Sequence, residues 1–177
     1  MNSDISSNCF RVVTLGISLF IGPAAAAPNA WITVKAQVTP VCTLSISESA
    51  IDLGSISALT LESTAPGTAL SGMTKPIGVT SSCVGTNLAT LLINTTDAVK
   101  DGYIVPAPGD VIRFGIDSEQ GPVRLDWSTK AYSMPITQSG TSTYNKFTVY
   151  AVAGAAPDTS TSAGTYTATI QFTLSPG

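Results

Sequence analysis

An all-β sandwich is the fold this sequence predicts, and three observations carry it. Short runs alternate apolar and polar residues with period 2, Gly- and Pro-rich turn signals separate them, and no 3.6-residue apolar period competes. The composition, rich in Thr, Ser, Val and Ile, agrees with many short strands. The clearest alternation is Thr165 to Leu174. There Tyr166, Ala168, Ile170, Phe172 and Leu174 point one way, and Thr165, Thr167, Thr169, Gln171 and Thr173 the other.

A similar pattern stands near the N-terminus. In W-I-T-V-K-A-Q-V-T-P-V (Trp31 to Val41), Ile32, Val34, Ala36 and Val38 share one side, against Thr33, Lys35, Gln37 and Thr39. Pro40 closes the run because it has no amide hydrogen to give a ladder. Taken alone, this stretch reads either as an ordinary first strand or as one that serves another chain.

The elements between follow in order. Val41 to Ser47 predicts a strand in which Cys42, Leu44 and Ile46 face the core, and Ala50 to Ser57 predicts a short strand with Gly54 at a bulge or turn. Leu59 to Lys75, with its Ser, Thr, Pro66, Gly67 and Gly72, reads as a long loop or irregular edge. Lys75 to Cys83 returns to strand, and Leu88 to Thr95 is apolar enough for a strand covered on both faces. Asp97 to Pro108 reads as a turn-rich connection. Strands are then expected at Asp110 to Asp117, Pro122 to Trp127, Ala131 to Thr137 and Asn145 to Ala153, with a small polar loop from Gly154 to Ala163 before the last one.

Composition narrows the function. The chain has 177 residues, a net charge of -3, 11% charged residues and no histidine, which fits one domain after loss of an N-terminal segment. The scattered Lys and Arg leave no basic stripe, so nucleic acid is not an expected partner. Residues 1–27 read as a secretory signal peptide: Arg11, the apolar run Val12 to Ile21, Gly22-Pro23 and the small patch Ala24 to Ala27. Cys9 falls inside that segment. Two cysteines then remain in an exported chain, Cys42 and Cys83, and a disulfide between them is expected. Two thiols without an imidazole are a poor zinc or copper site, so neither a metal nor another cofactor is expected.

Together these residues resemble a pilin subunit of the bacterial chaperone–usher pathway. The resemblance covers the chain after the signal peptide: an alternating N-terminal extension, an early cysteine joined to one about forty residues later, and a closing alternating strand after a small-residue loop. Ile32 to Val41 looks like the start of colonisation-factor-type subunits, whereas the cysteine pair is similar to type 1-like and spore-coat-U-like pilins. An antibody-type domain fits poorly: no Trp lies between the cysteines, and Ser81 stands where a Tyr would precede Cys83. The resemblance implies residues 28–41 as a donor-strand extension and 42–177 as an incomplete immunoglobulin-like sandwich lacking its last strand. It implies Ile32, Val34, Ala36 and Val38 as donor residues, with Ala36 where a small residue suits a shallow pocket. Gly164, Tyr166, Ala168, Ile170, Phe172 and Leu174 would line the acceptor groove. The implied partners are identical or related pilins, a periplasmic chaperone and an outer-membrane usher. The implied place is a cell-surface fimbria supporting adhesion.

Other chemistries are weaker on the residues. Without histidine the usual general base is missing, so an enzyme is not expected. A paired-carboxylate hydrolase or a calcium site could draw on Asp97, Asp101, Asp110, Asp117, Glu119 and Asp126, but these acids sit at turns and strand ends, without a ligand-loop spacing. A single-domain carbohydrate-binding adhesin, or a secreted self-complemented sandwich, remains the alternative, with Trp127, Tyr132, Tyr144 and Tyr150 as a platform for a host glycan or surface receptor. The sequon Asn94-Thr95-Thr96 reads as a chance match.

Overall fold

The computed structural model describes residues 33, 35–107, 109–138, 140, 142–155 and 163–177. The chain divides into two compact units, Met1–Ala36 and Gln37–Gly177. The expected signal peptide and the donor residues Ile32 and Val34 lie outside the described residues, and of the first unit only Thr33, Lys35 and Ala36 are described.

Two antiparallel sheets form the second unit. The strands are β1 (Val41–Ile46), β2 (Ala69–Val84), β3 (Leu88–Asn94), β4 (Ala98–Lys100), β5 (Tyr103–Val105), β6 (Ile112–Ser118), β7 (Gly121–Val123), β8 (Ala131–Thr137), β9 (Thr143–Ala153) and β10 (Gln171–Pro176). One sheet runs β1-β2-β9-β6-β5-β4, with β7 also paired to β6, and the other runs β10-β3-β8. The all-β sandwich expected from the alternation is what forms. Its inward residues make one main core, in which Val79, Leu91, Ile93, Ile104 and Phe147 are almost completely buried. A second cluster of Leu61, Leu70, Met73, Val111, Ile112, Ala151 and Ala153 caps one end.

Several expectations need correcting, each for a local reason. The long loop at Leu59 to Lys75 contains a short helix, α1 (Ala58–Ser63), and the start of β2. Six residues are too few to show a helical period. The helix rests instead on its caps: Ser57 accepts from the Thr60 amide at 3.1 Å, and Thr64 donates to the Leu61 carbonyl. The start of β2 was hidden by a bulge between Ala69 and Thr74, which buries Leu70 and Met73 three positions apart and breaks the two-residue period. The connection Asp97 to Pro108 contains the hairpin β4–β5. Its turn is Asp101-Gly102, both at positive φ (55° and 80°), and Asp-Gly is a strong two-residue hairpin signal.

Ala50 to Ser57 pairs with no strand, and Pro122 to Trp127 shrinks to β7. β3 is covered on one face only, with Ala89, Leu91 and Ile93 inward. The last strand begins at Gln171, not Thr165, because β3 ends at Asn94 and leaves the preceding residues with an isolated bridge, Thr167 to Ala107, in place of a continuous ladder. Two side chains substitute for the ladder: Thr95 Oγ1 donates to the Thr169 carbonyl (2.6 Å), and Asp97 Oδ2 accepts from the Thr169 amide (2.9 Å). Thr95 is buried and Asn94 Oδ1 is shut away from solvent, while Asn94 as a residue is partly exposed.

Candidate functional site: an apolar seam between two open strand edges

β1 ends one sheet and β10 ends the other, so among the described residues each has one ladder edge without a strand partner. They approach each other closely and do not pair. Such edges present backbone N–H and C=O groups that can still take up another strand.

Both walls of this seam carry apolar residues that are only half-buried. On the β1 side these are Leu44, then Ile51, Leu53 and Ile56 from the unpaired stretch that follows. On the other side are Tyr166, Ala168, Ile170, Phe172 and Leu174, the alternating set named from the sequence. Leu44, Ile51, Ala168, Ile170, Phe172 and Leu174 pack on the main core, Ile56 and Tyr166 on the capping cluster, and Leu53 on both. The two walls therefore run along the sandwich in opposite chain directions. Phe172 is anchored from below by Phe147, with ring centroids 5.4 Å apart.

The disulfide Cys42–Cys83 forms as expected, and it joins residues directly opposite in the β1–β2 ladder. It pins the β1 wall to the long central strand. Of the expected donor residues, Ala36 and Val38 are described; both are exposed, Val38 at 83%, and neither is in a strand. Gly164 is exposed, and a Cβ there would meet no atom within 4 Å.

Five of the six acidic residues named from the sequence, Asp97, Asp101, Asp110, Asp117 and Asp126, have structural partners. Arg113, buried on β6, bonds Asp110 through Nε and Nη2, and Asp101 through Nη1 at 3.0 Å; Lys100 adds a 2.7 Å ion pair to Asp110. The Arg113 hydrogen bonds hold the Asp110 carboxyl below its ordinary range against the opposing effect of burial. Asp126 accepts from Ser128 and Thr129 in a tight turn and falls to about 2, chiefly through the Ser128 hydroxyl. Asp117 accepts from the Tyr150 hydroxyl at 3.2 Å. Among the described residues no group of three or more Cys, Asp or Glu is placed to hold a metal ion.

The four aromatics suggested as one platform are dispersed. Tyr132 packs on the core, Tyr150 lies on the outer face of the larger sheet, Tyr144 is exposed near the start of β9, and Trp127 is exposed between β7 and β8.

No protein-family model matches the sequence, and no curated protein matches it. Solved structures match the fold. The P pilus rod subunit PapA superposes with a TM-score of 0.55 at 17% identity, covering 76% of this chain and 99% of that one. The chain has a pilin fold. A chain from a chaperone–usher pilus, solved to explain rod uncoiling, superposes on the same fold with a TM-score of 0.52 at 14% identity, over 88% of this chain and 100% of its own. Both come from pilus structures, and what they share with this chain is the fold.

Proposed function

We propose that the chain is a structural subunit of a surface pilus and that its open seam is completed by the N-terminal extension of another copy. The observation that carries this reading is the pair of unpartnered edges, β1 and β10, flanked on both walls by half-buried apolar side chains. An inserted strand would bond to the free edge of β10 and push alternate side chains between those of the walls. The dimensions agree. Ile32 to Val38 would span roughly 20 Å when extended, about the length of the six-residue strand β10, Gln171–Pro176, that would pair with it.

The same chemistry defines the partners. A chain with this seam empty exposes apolar surface and a strand edge, which invites aggregation, so a periplasmic chaperone is expected to cover it until an outer-membrane usher exchanges it for the next subunit. The Cys42–Cys83 disulfide suits an oxidising compartment on that route. No catalytic role is proposed, because five of the six acids named from the sequence, all but Glu119, are engaged in hydrogen bonds or ion pairs.

The test is gel electrophoresis in detergent of material sheared from cells that co-express the chain with its chaperone and usher. A ladder in unheated samples that collapses to one band on boiling is the expected result, since buried strand exchange dissociates slowly. A single band without heating would refute assembly and leave a sandwich that fills its own seam.

A further inference from the structure

We infer a second site, a cleft on the outer face of the larger sheet that binds a neutral pyranose sugar. It does not depend on the assembly reading and lies away from the seam. Its floor is Tyr150 of β9. Gly115 is its opposite residue on β6, and a Cβ there would sit 2.4 Å from the ring, so the tyrosine lies flat against the sheet where only glycine fits. One wall is the β2 bulge, where Ser71 and Gly72 are followed by Thr74; Gly72 has φ 77°, and a Cβ added to it would meet no atom within 4 Å. The other wall is Tyr103 on β5, with the Arg124 guanidinium 4.4 Å from its ring centre. The cleft has a volume of about 460 Å³, within the usual range of small-molecule sites, roughly 300–1,000 Å³.

The chemistry of the lining selects the ligand. A flat aromatic floor favours the C–H face of a sugar ring, whose positive hydrogens meet the negative face of the π-system. Around the floor stand hydrogen-bonding groups: the Asp117 carboxylate, the Ser71 and Thr74 hydroxyls and the tyrosine hydroxyls. Tyr150 donates to Oδ1 of Asp117, leaving Oδ2 to accept from a ligand hydroxyl. Burial, with the nearby Asp117 charge, raises Tyr150 to about 12, so it stays a donor at neutral pH. Asp117 is the charged residue of the lining, with Arg124 held against the Tyr103 ring, and an acid in the lining disfavours a phosphate or another strong anion. An open, polar-rimmed cleft suits a hydrated, many-hydroxyl ligand better than an apolar one.

The experiment is saturation-transfer NMR on the folded full chain, in complex with its chaperone, using the methyl pyranosides of galactose, glucose, mannose, fucose and N-acetylglucosamine as probes. At least one is expected to receive saturation, and Asp117→Asn is expected to weaken its binding tenfold or more. Ser71→Trp, at an exposed position on the bulge, should abolish it by filling the cleft and covers the case in which the Asp117 variant folds poorly. Trp127→Ala, at the exposed indole outside the cleft, should leave binding unchanged. Saturation of none of the five sugars, or loss on Trp127→Ala with retention in Ser71→Trp, would overturn the assignment. The detergent ladder is independent of all these outcomes, so failure here leaves the assembly reading intact.

Discussion

β3 and β10 are hydrogen-bonded neighbours with similar inward residues, yet their burial differs sharply. Leu91 and Ile93 of β3 are completely buried, whereas Leu174 and Phe172, directly opposite them, are only half-buried. The residue types do not explain this, and neither does the register. The difference is position: among the described residues β3 is flanked by β8 and β10, while β10 has a strand on one side only. One more strand, about 4.8 Å further out, is what would bring Phe172 to the burial of Ile93. The comparison teaches that the burial of an apolar strand face is set by its neighbours, which on the proposed reading would include a strand from another copy.

The largest effect expected is on assembly. Val34→Asp and Ala36→Trp should abolish the detergent-resistant ladder while leaving the thermal melt of the chaperone-bound subunit unchanged, because these residues act only as donors; normal ladders from both would remove the assigned register. Next comes the wall. Replacing Cys42 and Cys83 by Ser releases a 41-residue separation and should cost about 4 kcal/mol in the chain-entropy picture, read as a lowered denaturant midpoint.

The comparison itself is sharpened by a matched pair. Ile93→Ala should destabilise by about 2–5 kcal/mol, as for a closed core, in monomer and fibre alike. Phe172→Ala should cost only about 1–2 kcal/mol in the unassembled subunit and rise toward the full 3–5 kcal/mol once a strand covers it. Equal losses in both states would mean that the seam is already closed. The smallest effect is acid sensitivity. The folded Asp110 carboxyl titrates below its ordinary value of 3.8, so its contribution is present above that pH and is lost as pH falls through the lower folded value. Melting temperature should therefore drop below about pH 4, and less steeply in Asp110→Asn.

Much of this was legible in the chain. The alternations at Val41 to Ser47, Ala131 to Thr137 and Asn145 to Ala153 became β1, β8 and β9, and the cysteines paired. That Tyr166 to Leu174 share one face was readable from their spacing, and their place in a groove came only from the resemblance; their half-buried state was not readable, because period 2 reports which face a residue shares and not what covers it. The second wall, Ile51, Leu53 and Ile56, read as a strand and is an unpaired extension among the described residues, because alternation reports a shared face and not a ladder partner. The sugar cleft was hidden for another reason. Tyr103, Gly115 and Tyr150 come together only through the β5–β6–β9 pairing, and the bulge that walls them in breaks the pattern that would have announced β2.

The most direct test of the central claim is amide hydrogen exchange along β10 of the disulfide-intact subunit released from its chaperone, with and without a synthetic peptide of residues 31–41. The account predicts that the peptide slows exchange at the amides of Gln171 to Ser175 that do not face β3, and leaves the already protected amides of β3 unchanged. Protection of β10 equal to that of β3 before peptide is added, with no change afterwards, would contradict an open acceptor edge.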